Sequence, residues 1–365
     1  MSEKRFYLDI HAIQTLPPSN VNRDDTGSPK TAIYGGIRRA RVSSQAWKSA
    51  IRQYLKVNLG IEIGERTIHL VKKIAETIID KNPSVPMEEA KEMANTAINN
   101  ITENNKKVTK DNKKKSEKYP VAEALFFISN KQVEGLAEAA IRGEKDRNVY
   151  HSIILENPSV DMSLFGRMLA TDSSINIDAS CQVAHSISTH EVQIEFDYFT
   201  AIDDMAPENN AGAEMIETIE YDSSTLYRYA NIAMHELFRQ LGSKEQAIDA
   251  AKLFIQAFAN SMPTGKSNTF ANQTLPQLLM INIRRDRPVS MVTAYENPVK
   301  SREGYVKPSI ERLFDEVKKT EKFVQVPEKT LYVVEENIEK PEWATEEDNI
   351  SALMDDFAKI AEELL

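Results

Sequence analysis

The strand-like and helix-like segments of this chain do not alternate regularly, and this feature constrains the fold most strongly. Residues 6–13 (FYLDIHAI) place apolar side chains at every second position, which is the period of a half-buried strand. Further strand-like segments follow at residues 192–202, 225–232, 279–283 and 289–293. Residues 65–143, in contrast, repeat apolar positions at helical spacing. Since a parallel sheet of βα units needs regular alternation, the pattern predicts an α+β fold with a long helical insertion.

Several helix starts are marked by capping residues. Ser43 or Ser44 is the expected N-cap of the first helix, and Ser243 caps a later one. Pro308 is expected to begin another helix, because its fixed φ suits the first turn. Thr345 is expected to open an acidic amphipathic helix that ends the chain.

Composition excludes several classes of protein. The single cysteine, Cys181, cannot form an internal disulfide or supply the thiolates of a structural zinc site. No apolar run approaches the roughly 18 residues of a membrane span, and residues 1–10 lack the apolar stretch of a secretory signal. We therefore expect a cytoplasmic protein with no membrane contact, no metal and no cofactor.

The distribution of charge is more informative than its sum. The net charge of −10 argues by itself against nucleic-acid binding, because such proteins usually carry a basic surface. Residues 335–365 hold eleven acidic and two basic residues, however, so the rest of the chain is nearly neutral. Residues 26–61 contain no acidic residue and seven basic ones: Lys30, Arg38, Arg39, Arg41, Lys48, Arg52 and Lys56. This acid-free segment indicates a polyanionic ligand.

The acid-free segment also combines the groups that a phosphate backbone requires. Its paired glycines, Gly35 and Gly36, allow another chain to approach closely, and its arginines offer forked donors to phosphate oxygens. Ser43, Ser44 and Gln45 stand where a helix N-terminus exposes N–H groups. A solvated basic helix face would show a similar pattern, but the lack of any acid favours binding.

Two adjacent carboxylates, Asp24 and Asp25, precede this segment in a polar loop. Such a pair could hold a divalent ion and activate water for phosphoryl chemistry. Alternatively, the carboxylates could accept hydrogen bonds from nearby backbone N–H groups or pair with Arg23. We favour this structural interpretation, because the loop contains no further carboxylate or histidine.

An acidic hairpin is predicted in the second half of the chain. Residues 191–222 contain ten acidic residues and neither lysine nor arginine. Strand-like alternation begins on one side of a loop with Pro207 and Gly212, and a second strand-like segment follows it. The simplest interpretation is a protruding hairpin.

Residues 22–48, NRDDTGSPKTAIYGGIRRARVSSQAWK, resemble the N-terminal signature of a known family, the CasC family. Its members are backbone subunits of the type I-E CRISPR Cascade surveillance complex. The resemblance continues in order through FGRML, VAHSISTHEVQIEFDYFTAIDDM, LYRYANI, MPTGKSNTFA, PVSMVTAYENPV and GYVKPSI, which end near residue 310. The helical insertion and the acidic tail match the family poorly.

The resemblance implies an α+β fold shaped like a right hand, with a modified RNA-recognition-motif (ferredoxin-like) palm, a helical fingers insertion and a thumb hairpin. The implied boundaries are 1–61 for the N-terminal palm with its gripping loop and helix, 62–180 for the fingers, 181–190 for palm, 191–226 for the thumb, 227–320 for the C-terminal palm, and 321–365 for the acidic tail. Several copies would polymerise along the spacer of a CRISPR RNA beside other Cascade subunits. The guide would then pair with invading target DNA in antiviral defence.

The family's RNA contacts can be assigned to individual positions of this chain. They correspond to Arg23, Lys30, Arg41, Ser43, Gln45 and Lys48, and the methionine after Gly-Arg corresponds to Met168. Arg38, Arg39 and Arg52 match further basic positions of the motif, whereas Ile37 and Ser49 replace basic residues of the family. We expect Met168 to act as an apolar wedge against a displaced base, and Phe199, Met205 and Met215 are candidate wedges in the thumb.

The resemblance favours a subunit that is not an enzyme. One alternative is a metal-dependent ribonuclease that uses Asp24 and Asp25, as in related backbone subunits of type III CRISPR complexes. Another is an interaction protein whose acidic tail helix docks a basic partner.

Overall fold

A computed structural model describes residues 5–101, 108–110, 119–169, 172–201 and 215–365. The chain divides into two compact units. We call the first the sheet unit; it comprises Met1–Tyr54, Val183–Ala233 and Ala251–Leu365. The second, the helical unit, comprises Leu55–Gln182 and Met234–Ala250.

The described residues form strands and helices in the following order. The strands are β1 (Tyr7–Ser19), β2 (Thr31–Tyr34), β3 (Ile37–Val42), β4 (Glu65–Thr67), β5 (Thr109–Lys110), β6 (Val121–Ala122), β7 (Phe126–Ile128), β8 (Cys181–Val183), β9 (Ser186–Ser188), β10 (Glu195–Ala201), β11 (Met215–Ala233), β12 (Leu278–Arg284), β13 (Lys329–Val334) and β14 (Thr345–Glu346). The helices are α1 (Ser44–Val57), α2 (Leu70–Lys81), α3 (Met87–Asn99), α4 (Asn130–Ile141), α5 (Arg147–Leu155), α6 (Val160–Phe165), α7 (Met234–Leu241), α8 (Lys244–Asn260), α9 (Ser267–Phe270), α10 (Val306–Thr320) and α11 (Ile350–Leu364). Short 3₁₀ turns cover Ser173–Ile175 and Val292–Tyr295.

The sheet unit is built on a mostly antiparallel sheet. Its strand order is β14-β13-β12-β1-β11-β9-β3-β2, and β10 pairs with β11 outside this path. β1 lies between β11 and β12, with Leu8 opposite both Ile232 and Ile283. The alternating side chains Leu8 and Ile10 are fully buried, as the sequence pattern predicts. The α+β class is confirmed, because this antiparallel sheet is combined with separate helices.

The residues of β1 on its other face are also buried, although several are polar. Burial raises the pKa of Asp9 to about 7 and lowers the pKa of His11 to about 3. The Asp9 carboxylate accepts hydrogen bonds from the Tyr229 hydroxyl at 2.8 Å and from the Val289 backbone N–H at 3.0 Å. His11 Nδ1 lies 2.9 Å from the Tyr227 hydroxyl. These partners keep the buried polar groups satisfied within the fold.

Several sequence predictions about local structure are wrong. The helix expected to begin at Pro308 begins at Val306, so the proline lies within its first turn. Residues 289–293 do not form a strand, because their N–H groups bond to side chains instead of a neighbouring strand: Val289 donates to Asp9, and Met291 donates to the Tyr227 hydroxyl at 2.9 Å. The last helix begins at Ile350 and not at Thr345, since Thr345 pairs in parallel with β13. Asn349 caps that helix by accepting a hydrogen bond from the Ala352 N–H at 3.0 Å.

Helices α2, α3 and α4 form between residues 65 and 143 as expected, but Glu65–Thr67 and Phe126–Ile128, which the sequence pattern predicts to be helical, pair as two short strands instead. In α2 the buried residues Leu70, Ile74 and Ile78 recur every four positions, which places them on one helix face. They share a core with alanines of α3 and with Leu136 of α4. Ser129 and Gln132 form a capping box at the start of α4. Within the described residues, no helix is long and apolar enough to span a membrane.

The strands of the sheet unit are tied to its helices by a buried arginine, Arg228 of β11. Its guanidinium carbon lies 3.7 Å from the ring centroid of Trp47 and 4.3 Å from that of Phe258. The guanidinium donates to the Gln14 side-chain oxygen and to the Phe258 carbonyl oxygen, the latter at 2.6 Å. Stacking and hydrogen bonding by one planar cation therefore join β1, β11, α1 and α8.

We predict that Arg228→Ala lowers the free energy of unfolding by about 3 kcal/mol or more, because it leaves a cavity and removes the donor to the buried Gln14 side-chain oxygen. Arg228→Lys should recover only part of this, since an ammonium cannot reproduce the planar fork. Urea denaturation of the full chain measures both effects. Arg38→Ala, which truncates an exposed arginine, is the control and should change stability by about 0.5 kcal/mol or less. Equal stability of Arg228→Ala and the control would contradict this account.

Candidate nucleic-acid interface

The acid-free segment folds into a β-hairpin followed by a helix. β2 and β3 pair antiparallel, with Thr31 opposite Ala40 and Tyr34 opposite Ile37. Gly35 and Gly36 make the turn with φ of +59° and +79°, a conformation that favours glycine. A Cβ at Gly35 would lie 1.8 Å from the Glu296 carbonyl oxygen, so this position excludes any larger residue. The turn is therefore fixed against a neighbouring segment of the sheet unit.

Neighbouring arginines of β3 have different environments. Arg38 is exposed. Arg41 is half-buried; its Nε donates to the Thr31 carbonyl at 3.2 Å, and its Nη1 lies 3.3 Å from His185 Nδ1. Burial and the positive charges of Arg41 and Lys30 lower the pKa of His185. The surface around β3 is therefore electropositive.

Arg39 requires a correction of the sequence prediction. Its side chain is fully buried and donates to the carbonyl oxygens of Tyr34 at 3.2 Å, Ser188 at 3.0 Å and Tyr295 at 2.8 Å. Burial also lowers the pKa of its guanidinium. Arg39 holds the hairpin in place and is not available to a phosphate.

Helix α1 presents the next group of candidate residues. Ser43 is buried, and its hydroxyl accepts a hydrogen bond from the Ala46 N–H at 3.3 Å, which confirms it as the N-cap. Gln45 is exposed beside it. Lys48 and Arg52, four residues apart on the helix, are half-buried. Of the predicted site residues on this helix, Gln45, Lys48 and Arg52 are therefore at least partly exposed, whereas Ser43 is a buried cap.

The loop before β2 is ordered by its own hydrogen bonds. The Asp24 carboxylate accepts from the Thr26 hydroxyl at 2.7 Å, from the Thr26 N–H at 2.9 Å and from the Ser28 N–H at 3.0 Å. These hydrogen bonds lower the pKa of Asp24, and the bond from the Thr26 hydroxyl has the largest effect. Asp25 and Arg23 are exposed, and Lys30 is half-buried. Asp24 therefore shapes the loop that carries Arg23 and Lys30.

Met168 lies in the helical unit on a rigid turn. Gly166 has φ of +77°, and a Cβ there would lie 2.8 Å from the Ile177 carbonyl oxygen. The Arg167 guanidinium is buried and donates to the carbonyl oxygens of Ile175 and Ile154, both at 2.8 Å. Burial lowers the pKa of Arg167 to about 10. Met168 is 82% exposed, so the turn projects an apolar side chain into solvent.

The sequence analysis missed the surroundings of Met168. A cleft of about 460 Å³ lies beside it, lined also by Arg66, Leu125 and Phe127. The Arg66 guanidinium stacks 4.7 Å from the Phe127 ring centroid, and Leu125 is 65% exposed. Because Arg66, Leu125 and Met168 lie far apart in the chain, no local pattern could have associated them.

The hairpin of β10 and β11 has two distinct faces. Phe196 lies opposite Glu220 and Tyr198 opposite Thr218, and these two aromatic side chains are 65% and 62% exposed. By strand alternation, Glu195, Asp197 and Phe199 belong to the other face. We call the first the aromatic face and the second the carboxylate face.

The thumb wedge candidates therefore need revision. Phe199 lies among carboxylates, and Phe196 and Tyr198, which the sequence analysis did not select, are the most exposed aromatic residues of this hairpin. Met205 lies outside the described residues, and only the backbone of Met215 is described.

The acidic tail helix packs against its own sheet unit. Its residues Leu353, Phe357 and Ala361 are buried, and Lys252 of α8 forms an ion pair with Asp355 at 2.9 Å. The apolar side of α11 is therefore already occupied, which weakens the interpretation of the tail as a free docking helix.

The chain is similar in sequence to a known family and in fold to solved structures. The sequence profile of the CT1975-like protein family matches residues 8–357. A subunit described as "CRISPR RNA-guided surveillance complex, pre-nicking" superposes with a TM-score of 0.85 and 31% identity, over 97% of this chain and 100% of that one. Another, from a "CRISPR RNA-guided surveillance complex", gives a TM-score of 0.76 and 27% identity over 97% and 99% of the two chains. No curated protein sequence matches. The chain therefore belongs to the CT1975-like protein family.

Proposed function

We propose that this protein is a CRISPR RNA-binding backbone subunit of a type I-E Cascade complex, several copies of which polymerise along the guide spacer. The observation that carries the proposal is the cationic surface of the sheet unit, which we call the grip. The grip consists of Arg23, Lys30, Arg38, Arg41, Gln45, Lys48 and Arg52. The 31% identity over 97% of the chain to a subunit of an RNA-guided surveillance complex supports an RNA as the ligand.

The grip suits a sugar-phosphate backbone and not a particular base sequence. Arginines and lysines bind phosphates through charge-assisted hydrogen bonds, and such contacts carry no sequence information. In this arrangement the guide bases stay free to pair with target DNA, which supplies the specificity. The net charge of the whole chain does not oppose this, because the acidic residues are concentrated in the tail and the hairpin.

Individual parts of the chain can be assigned to the parts of the proposed family fold. In our proposal the sheet unit is a palm of modified RNA-recognition-motif type, the helical unit forms the fingers, and the β10–β11 hairpin is the thumb. The antiparallel neighbours β12, β1 and β11 support the palm assignment. The exposed aromatic residues Phe196 and Tyr198 support contact between the thumb and unstacked bases.

Met168 serves as an apolar wedge in this proposal. A side chain that is 82% exposed on a turn fixed by Gly166 and buried Arg167 can enter a base step without rearrangement of the backbone. The adjacent cleft, lined by Arg66 and Leu125, offers an apolar and cationic surface to a displaced base.

We also propose that the subunit is not an enzyme. The Asp24 carboxylate receives three hydrogen bonds from its own loop, which supports a structural role. The ribonuclease alternative would need this carboxylate to exchange those bonds for a metal ion.

A first prediction from the proposed function concerns the grip. Lys48→Ala combined with Arg52→Ala should weaken RNA retention equally for unrelated sequences, and the slope of log K against log salt should fall by roughly 0.7 to 1 per cation removed. Binding of two unrelated RNAs across a salt series measures this. The matched control, Lys252→Ala with Lys359→Ala, removes two lysines that pair with Asp355 and Asp356 and should not change the slope. Unchanged affinity and slope in the first variant would reduce the grip to a solvated helix face.

A second prediction concerns the wedge. Met168→Ala should leave RNA affinity nearly unchanged but restore stacking of the base it displaces, because phosphate contacts dominate affinity. The fluorescence of 2-aminopurine placed at successive guide positions reports the displaced base and should fall in the variant. Leu275→Ala truncates an apolar side chain that is 61% exposed in the sheet unit, and this control should keep the wild-type signal. Equal fluorescence in both variants would argue against the wedge.

The third prediction concerns catalysis. Labelled RNA should remain intact with the protein in magnesium or manganese, because Asp24 is engaged by Thr26 and Ser28. Denaturing gel electrophoresis detects any product. Metal-dependent cleavage that is lost in Asp24→Asn would instead support the ribonuclease alternative.

A further inference from the structure

Asp222 of β11 is a buried carboxylate that has no partner in the part of the chain that the structure describes. Only 7% of the residue is exposed, and neither a hydrogen-bond donor nor a cation contacts it there. Burial raises the pKa of Asp222 to about 7, and no neighbouring group offsets this rise. A buried carboxylate without a partner is costly, so this one indicates a ligand from outside the chain.

Other buried carboxylates of the described residues are satisfied by the fold. They are Asp9, Asp161 and Asp172, and each accepts at least two hydrogen bonds. Asp161, for example, accepts from the Gly64 N–H at 2.9 Å and from the Ser159 hydroxyl at 2.7 Å. The fold therefore supplies donors where a buried carboxylate has a structural role, and Asp222 differs because it receives none.

Asp222 lies beside the loop before β2, which carries part of the grip. In the β1–β11 ladder Asp222 pairs with Ser19. The next residue, Asn20, donates from its side-chain nitrogen to the Glu220 carbonyl at 2.8 Å and to the Gly27 carbonyl at 3.0 Å. Since Glu220 belongs to β11 and Gly27 to the loop, Asn20 joins the strand around Asp222 to the loop of the grip.

Asp222 also lies on the side of the sheet where α1 packs. By strand alternation Leu226 shares a face with Asp222, and Leu226 packs with Trp47 of α1 in one buried cluster. Asn22, in the loop before β2, accepts a hydrogen bond from the Ser43 N–H at the start of α1, at 2.9 Å. The carboxylate and the cations of the grip therefore belong to one connected region of the sheet unit.

Two further polar atoms in this region have no partner among the described residues. They are the side-chain oxygens of Asn20 and Ser224, and both residues are buried. Ser224 is two positions from Asp222 on β11, so the two side chains share a face. Carboxylate and amide oxygens are acceptors, and a hydroxyl can act as one. The region is therefore rich in acceptors and suits a ligand that donates hydrogen bonds.

A ribonucleotide has a donor of this kind in its ribose 2′-hydroxyl. Its phosphate is an anion that a carboxylate repels, and in the proposed function its base edges stay free to pair with target DNA. The 2′-hydroxyl recurs at every nucleotide and is absent from DNA. Acidic side chains also bind ribose hydroxyls in dinucleotide-binding proteins.

We propose that Asp222 accepts a hydrogen bond from a ribose 2′-hydroxyl of the bound RNA and thereby favours RNA over DNA. The cations of the grip contact phosphates, which RNA and DNA share, so the grip alone makes no such distinction. This inference rests on the proposed function, because it needs an RNA backbone on the grip.

Binding of matched RNA and DNA tests the assignment. Oligonucleotides of one sequence, each short enough for a single copy, are titrated with the full chain. The wild type should bind the RNA more tightly than the DNA. Asp222→Ala should bind the RNA about tenfold more weakly, whereas its affinity for the DNA should not fall, because DNA lacks the hydroxyl. Asp222→Asn keeps an oxygen acceptor and should retain part of the preference.

Asp25→Ala is the matched control for charge, because it removes an exposed carboxylate from the loop before β2. Loss of this charge acts through the phosphates, so it should change the affinities for RNA and DNA by the same factor.

Urea denaturation separates a ligand contact from a structural role. Asp222→Ala should not lower the denaturation midpoint, because it removes a buried group that has no partner. Asp161→Ala, in contrast, leaves the donors of Gly64 and Ser159 without their acceptor and should lower the midpoint.

The outcomes separate this inference from the proposed function. An RNA preference in Asp222→Ala equal to that of the wild type would overturn the inference and leave the proposed function intact. Equal losses of RNA and DNA binding with a lower denaturation midpoint would also overturn it, because the carboxylate would then be structural. So would RNA binding that requires magnesium in the wild type and not in Asp222→Ala, since this would assign the carboxylate to a divalent ion. A wild-type protein that binds neither RNA nor DNA would overturn the proposed function itself.

Discussion

The pairing of β1 with β11 is the interaction on which the rest of the sheet unit depends. β11 has nineteen residues and β1 has thirteen, and their ladder runs from Tyr7 opposite Ala233 to Ser19 opposite Asp222. Because β11 continues beyond this ladder, its remaining residues pair with β10 and leave the sheet as a hairpin. The other edge of β11 pairs with β9, which pairs with β3. One long strand therefore fixes both the grip and the hairpin.

Buried arginines stabilise the segments that carry the candidate site. Arg39, Arg167 and Arg284 each donate to backbone carbonyl oxygens of loops that no regular ladder could satisfy. A guanidinium can reach several carbonyls at once because its donors form a rigid fork. The exposed residues Arg38 and Met168 each follow or precede one of these arginines, which fixes the backbone that carries them.

The charge pattern of the protein is consistent with assembly along a polyanion. A uniformly basic chain would bind RNA but would repel further copies of itself. Here basic residues are concentrated in residues 26–61, and acidic residues are concentrated in the hairpin and the tail.

Local periodicity and composition were sufficient to predict much of the secondary structure of this protein. The alternation around Leu8 and the helical spacing around Ile74 predicted a strand and a helix, because these patterns depend only on backbone geometry. The acid-free segment indicated a polyanionic ligand for the same reason, since charge is a property of the sequence itself. The family resemblance at residues 22–48 added the expected ligand.

The tertiary structure decided what no local pattern contains. Arg38 and Arg39 are indistinguishable in sequence, but only Arg39 reaches the carbonyls of Ser188 and Tyr295, which lie 149 and 256 positions away. Residues 289–293 have the composition of a strand, yet the distant side chain of Asp9 takes the N–H of Val289. Burial and hydrogen bonding between remote segments thus determined which of the sequence's candidate residues face solvent, because a side chain's environment is set by the whole fold.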